Sequence, residues 1–127
     1  MIEVGKVIYN ILSNDSDVKS LVGTKIFPLV AESNTTFPFI TYKRNSLTPT
    51  NSKDRFICNA ESYVEVNVCD TNYNKSIDLA EKVISALEGK KGTYNNIDVQ
   101  NIEFDNSSEE FNEDTYIQNI TFKIKIK

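Results

Sequence analysis

The last twelve residues constrain the fold most. From Tyr116 to Lys127, Tyr116, Ile120, Phe122, Ile124 and Ile126 share one parity, and Thr121, Lys123, Lys125 and Lys127 share the other. Successive side chains of a strand point to opposite faces, so this pattern describes a strand with one face in a core and one in water. Such a strand needs paired neighbours and a layer over its apolar face. Two placements follow. It is either a sheet edge that pairs with another chain, or an interior strand, and an edge could be blocked by its own lysines, Lys123, Lys125 and Lys127.

The rest of the chain supplies the partners. Val4, Val7, Ile8, Ile11 and Leu12 recur at helical spacing over residues 2–13, giving a helix with one apolar stripe. Asp15 then caps a short helix with Val18, Leu21 and Val22 on one side, and Gly23 stops it. Residues 25–30 are extended, with Pro28 suited to an edge strand. Phe39–Tyr42 begins a second strand. Val64, Val66 and Val68 alternate with Tyr63, Glu65, Asn67 and Cys69 in a half-buried third. Thr71 or Asn72 caps a helix over residues 73–88, with Ile77, Ala80, Val83, Ile84 and Leu87 as its stripe and Gly89 as its stop.

After the polar turn KKGTYNN comes a weaker strand, Ile97 to Phe104. There Ile97 and Val99 point inward, then Ile102 and Phe104 after a slip of phase that predicts a bulge. The expected class is α+β: a mainly antiparallel sheet packed on one face by two amphipathic helices, in the order α-α-β-β-β-α-β-β, with a long β-hairpin loop. One domain over residues 1–127 fits the length. Phe27, Phe37, Phe39 and Tyr42 are expected in the core.

Two segments break the periodicity. Residues 43–59 are polar and carry Lys43, Arg44, Lys53 and Arg55, which makes them the most basic stretch. They read as a long, mobile hairpin excursion that is either simply disordered or an arm that contacts a neighbour or a partner. Residues 103–114 carry Glu103, Asp105, Glu109, Glu110, Glu113 and Asp114 without a single Lys or Arg. They read as a solvated turn, or as an acidic surface that faces a partner or lines a channel and repels DNA phosphates. Their charges are complementary, so head-to-tail contact between copies would allow the basic segment of one to meet the acidic segment of the next.

Composition restricts the chemistry. The chain has no histidine, which removes the usual general acid/base, the Ser-His-Asp triad and most zinc sites. Cys58 has no His to activate it, and no nucleophile elbow, P-loop or dinucleotide fingerprint occurs. The spacing of the acids lacks the calcium-loop pattern with its central Gly. No metal, cofactor or catalytic residue is assigned. Net charge of −4 argues against phosphate gripping, and two cysteines, Cys58 and Cys69, make no disulfide framework. No apolar run is long enough for a membrane span, and the N-terminus with Glu3 does not read as a signal peptide.

The ordered features resemble one family. An N-terminal amphipathic helix is followed by Asp15-Ser16-Asp17-Val18-Lys19-Ser20-Leu21-Val22-Gly23, then Lys25-Ile26-Phe27-Pro28, then Phe37-Pro38-Phe39-Ile40-Thr41-Tyr42. A valine-rich strand, a helix ending Ala86-Leu87-Glu88-Gly89, an acidic hairpin and an alternating C-terminal strand complete the order. The chain in this respect is similar to the phage tail-terminator, or tail-completion, proteins. The resemblance implies a virion protein made in the host cytoplasm that forms a homo-oligomeric ring, commonly a hexamer. The ring caps the tail tube, ends its growth and offers a docking surface to the head-side connector. It implies no enzyme activity. The other readings are a neck connector or tail tube subunit, a bacterial adaptor domain, and a carboxylate-dependent hydrolase using Mg²⁺ held by the 103–114 acids.

Overall fold

The computed structural model describes residues 2–50 and 59–127. Its elements run α1 (Val4–Asn14), α2 (Ser16–Val22), β1 (Ile26–Pro28), β2 (Phe39–Thr50), β3 (Asn59–Asp70), α3 (Tyr73–Leu87), β4 (Gly92–Tyr94), β5 (Ile97–Asn112) and β6 (Thr115–Ile126). The six strands form one sheet in the order β1-β2-β3-β6-β5-β4. All neighbours are antiparallel except β1 and β2, which are parallel.

The class is the expected α+β, and the order gains one strand. β4 forms inside the segment read as a polar turn. Asn95 and Asn96 both adopt the left-handed region, with φ of 50° and 63°, which makes the tight turn that folds Gly92–Tyr94 back onto Ile97–Val99. Asparagine tolerates that region better than other non-glycine residues, so the turn carries a modest conformational cost.

β6 is an interior strand, with β3 on one side and β5 on the other. Its apolar face is sealed: Ile120, Phe122, Ile124 and Ile126 are all buried. The edge placement is therefore overturned, because both rows of its backbone groups are paired within the chain. Opposite Phe122 stand Val64 on β3 and Phe104 on β5. The slip of phase in β5 is real. The pairing with β6 shifts between Val99 and Asn101, which returns Ile102 to the buried face; a second shift follows between Phe104 and Asn106.

α1 and α3 pack on one face of the sheet, and α2 packs against both helices. The α1 stripe of Val4, Val7, Ile8, Ile11 and Leu12 is buried throughout. α1 touches β1 and β2 near one rim and β4 at the other, so the sheet curls around it. The side chain of Asn95 fastens that closure: its Oδ1 accepts from Asn10 Nδ2 at 3.0 Å, and its Nδ2 donates to the Lys6 carbonyl at 3.3 Å. α2 starts as its cap predicts, with Asp15 Oδ1 accepting from the amides of Asp17 and Val18, both at 3.0 Å. Leu21, expected inward, is 44% exposed; only Val18 and Val22 of this helix are buried.

In α3 the buried line is Ser76, Leu79, Ala80, Val83, Ala86 and Leu87, while Ile77 and Ile84 sit half-buried at its margin. The buried line is thus rotated relative to the expected stripe, with the small residues Ser76 and Ala86 on it. The aromatics assigned to the core lie at its rim. Phe27, Phe39 and Tyr42 are half-buried and Phe37 is 41% exposed, stacked on Phe39 at 5.3 Å.

Candidate interaction surfaces

Strand pairing fixes where the described parts of the two charged segments lie, with Lys43 opposite Glu65 and Arg44 opposite Val64. Ala60 of β3 is opposite Ile126 of β6, and Asp70 is opposite Tyr116. The β2–β3 hairpin therefore closes at one end of the sheet and the β5–β6 hairpin at the other. Ten residues of strand separate the two ends, about 33 Å at roughly 3.3 Å per residue.

The segment read as a polar excursion is strand over much of its length. β2 continues to Thr50 and β3 begins at Asn59, in register as Thr50↔Asn59. Lys43 and Arg44 are exposed on β2, beyond the three residues Ile40–Tyr42 that pair with β1. The outer side of β2 past Tyr42 has no strand neighbour among the described residues. Arg44 Nη1 donates to the carbonyl of Ile2 at 2.7 Å, and the pairing shifts directly after it, between Arg44 and Ser46. Lys53 and Arg55 lie outside the described residues, as does Cys58.

The acidic segment is strand too, not the solvated turn expected. β5 runs to Asn112, pairing with β6 as far as Asn112↔Thr115; only Glu113 and Asp114 turn, with φ of 50° and 59°. Because β4 pairs only with Ile97–Val99, the outer side of β5 from residue 100 onward has no strand neighbour among the described residues. The acids do not converge. Glu103 faces away from the helices, accepting from Asn101 Nδ2 at 3.0 Å with Lys125 Nζ at 4.0 Å. Asp105 sits in the bulge and accepts from Asn106 Nδ2 at 2.7 Å. Glu110 pairs with Ile117 on the face opposite Glu109. Among the described residues no three His, Cys, Asp or Glu groups come together as a metal site.

Glu109 has the most developed surroundings. The Tyr73 hydroxyl donates to its carboxylate, 3.0 Å from Oε2 and 3.2 Å from Oε1. Gln118 Nε2 donates to Oε2 at 3.1 Å and lies 3.3 Å from Ser76 Oγ. The hydrogen bond and charge of Glu109 push the Tyr73 phenol above its ordinary value. Tyr73 is placed by the start of α3: Asn72 Oδ1 accepts from the Lys75 amide at 3.0 Å, and Asp70 Oδ1 from the Asn72 amide at 3.1 Å. Its ring meets Tyr116 edge-on at 5.4 Å, and Phe111 packs on Tyr116 at 4.8 Å. These rings, with Glu109, Glu110 and Gln118, line a cleft of about 250 Å³.

Sequence reasoning did not assemble this cleft, because Tyr73, Phe111 and Tyr116 come from α3, β5 and β6. The one local signal was Phe111 in the middle of an acidic run. A second exposed apolar patch lies after β1, where Leu29 and Val30 are 70% and 75% exposed. The ends of that loop are fixed by the Leu29 amide on the Tyr42 carbonyl at 2.8 Å and by Lys25 Nζ on the Thr36 carbonyl at 3.1 Å. No helix of the described residues is long and apolar enough to cross a membrane.

Comparison with known proteins agrees with this architecture. No curated protein sequence matches the chain. Among solved structures, a chain of the virion of a native gene transfer agent particle superposes with a TM-score of 0.78 at 16% identity, covering 94% of this chain and 91% of that one. A second solved chain superposes with a TM-score of 0.64 at 11% identity, over 98% of this chain and 93% of its own. At these identities the superpositions establish a shared fold. The sequence profile of the tail completion protein gp17 family matches residues 6–127, nearly the whole length, and that family is a class of structural phage tail components, not of enzymes. The chain belongs to the tail completion protein gp17 family and is a structural component of the phage tail.

Proposed function

We propose that the protein is a tail-terminating subunit that assembles head-to-tail into a closed ring on the end of the tail tube. The ring occupies the surface where the next tube ring would add and offers a different surface to the head-side connector. Its work is steric and interfacial, with no chemical step. What supports this reading is the charge of two separate segments: Glu109, Glu110, Glu113 and Asp114 lie at the β5–β6 turn, while Lys43 and Arg44 are exposed on β2, opposite Glu65 and Val64 of β3. Residues 103–114 hold six acids and no base, and residues 43–59 hold four bases, Lys43, Arg44, Lys53 and Arg55, against one acid, Asp54. Two different patches on one subunit are what a heterologous interface requires, and such an interface closes into a ring when its rotation closes.

The outer sides of β2 past Tyr42 and of β5 from residue 100 onward, which have no strand neighbour among the described residues, favour the same reading, since unpaired strand edges are ready templates for a neighbour. A tube subunit would share the head-to-tail geometry but would add rings without limit. Purified tail tubes still able to grow separate the two. Added at stoichiometric amounts, the protein should stop tube extension and leave a distinct ring at one end in negative-stain images. Continued growth in its presence would remove the terminating role, and open-ended incorporation into tubes would reassign it to the tube.

A further inference from the structure

The outer edge of β5 is open where its charge is highest. β4 covers only Ile97–Val99, and the pairing of β5 with β6 shifts twice before Asn106. From Asn106 to Asn112 the pairing runs without a shift, over roughly 23 Å at about 3.3 Å per residue. Glu113 and Asp114, both left-handed, make a two-residue turn, so Asn112 and Thr115 exchange the hydrogen bonds that close it. Residues of an antiparallel pair alternate between bonding the partner strand and turning their backbone away from it. Ser108, Glu110 and Asn112 therefore direct their amides and carbonyls to β6, and Ser107, Glu109 and Phe111 direct theirs outward. Among the described residues those outward groups meet no backbone partner.

An open edge is usually guarded by a bulge, a proline or a lysine. Residues 106–112 have none of these. They carry charge of one sign instead: Glu109 and Glu110 stand on opposite faces of the strand, and Glu113 and Asp114 follow in the turn. Among the described residues neither Glu109 nor Glu110 has an ion pair, and Glu109 is held by the neutral donors Tyr73 and Gln118. A strand laid along the edge sets its side chains beside those of β5, where like charges repel and opposite charges attract. Two copies meeting here edge to edge would bring their acids together, so the charge disfavours self-pairing and favours a basic strand. Phe111, 59% exposed and packed on Tyr116, offers an apolar contact two residues from Glu109 on the same face.

We propose that the β5 edge from Ser107 to Phe111 receives an extended segment of another protein, a strand with Lys or Arg opposite Glu109 and Glu110 and an apolar residue opposite Phe111. Backbone hydrogen bonds supply the affinity, and the acids and Phe111 select the sequence. The inference stands apart from the ring, since a single subunit carries the whole edge.

The probe is the acetylated, amidated heptapeptide Thr-Val-Lys-Lys-Thr-Val-Thr, written to lie antiparallel with its first Val opposite Phe111 and its lysines opposite Glu110 and Glu109. Its control is the same peptide N-methylated at the three residues opposite Phe111, Glu109 and Ser107, which keeps the charge and removes the donors that face β5. On titration, the amide protons of Ser107, Glu109 and Phe111 should shift and slow their exchange, while those of Ser108, Glu110 and Asn112 should hardly move. No binding at millimolar peptide, a response without that alternation, or an equal response to the N-methylated control overturns strand addition. Equal binding of a peptide with Glu in place of both Lys overturns the basic occupant.

Variants give a second readout. Ser107→Pro removes one outward amide and leaves the ladder with β6 intact, so it should keep its Tm within about 2 °C and weaken the peptide about five-fold or more. Ser108→Pro removes an amide that bonds β6 and should lower Tm clearly, which checks the assignment of the two sets. Glu110→Gln should weaken the peptide about two- to five-fold, the size of a cross-strand charge pair. Unchanged binding to Ser107→Pro overturns the proposal. A homo-oligomer in native mass spectra that Ser107→Pro alone dissolves would give the edge to a second copy and overturn the proposed occupant.

Discussion

Truncating Phe122 to alanine tests the packing account at its centre. Phe122 is fully buried on β6, between Val64 of β3 and Phe104 of β5, with its ring edge-on to Phe104 at 6.1 Å and 72°. Removing it deletes the largest fully buried side chain among the described residues and leaves a cavity beside strands paired on both sides. Those strands cannot close in without breaking their ladders, so the site belongs at the upper end of the usual range, about 4 kcal/mol for Phe to Ala. That is a large share of the roughly 5–15 kcal/mol that keeps a domain folded.

For a chain of this length it corresponds to a fall in Tm of roughly 10–20 °C. The assay is thermal unfolding by far-ultraviolet circular dichroism, with Phe111→Ala as the matched control. Phe111 is 59% exposed, so its truncation should move Tm by no more than about 2 °C. A fall below about 5 °C for Phe122→Ala, or equal falls for the two variants, would refute the interior placement of β6.

Three further outcomes follow from local geometry. Asp15→Ala removes the acceptor of two amides at the start of α2 and should cost about 1 kcal/mol, read as a lower urea midpoint with unchanged slope. Asp114→Gly relieves a left-handed residue with φ of 59° and should raise Tm, whereas Asp114→Val should lower it, since a β-branched residue fits that conformation worst. Burial pushes the Cys69 thiol up to about 11 from 9.0, with the Glu110 charge adding to it. The folded state then holds the thiol proton more tightly than the unfolded one. The Cys69 contribution to stability is full below pH 9 and lost as pH rises from 9 to 11, and Cys69→Ala should flatten that part of the stability profile.

Periodicity made the core legible and left the surfaces obscure. The α1 stripe, the three valines of β3 and Ile120, Phe122, Ile124 and Ile126 of β6 are all buried as their spacing requires, because a face that must leave water marks every second or every third to fourth residue; Tyr116, of the same parity, is half-buried. The bulge in β5 was legible for the same reason: Val99 and Ile102 cannot share a face without an extra residue. The outer halves of β2 and β5 were not legible. Residues 43–50 and 105–112 have few buried side chains, so nothing in their composition distinguishes strand from loop, and only backbone pairing with β3 and β6 defines them.

Leu21 and Phe37 misled because apolar character alone does not specify burial. The acidic run correctly marked a charged hairpin. It did not reveal that Glu109 is hydrogen-bonded into an aromatic cleft, since that depends on α3 bringing Tyr73 across to a residue 36 positions away.

Native mass spectrometry of the purified protein across concentration and ionic strength tests the central claim most directly. The account predicts one closed assembly, six copies by the family resemblance, that forms at low salt, dissociates as salt rises and shows no larger members. A chain that stays monomeric at low salt, an isologous dimer, or a ladder of sizes without a stop would contradict it.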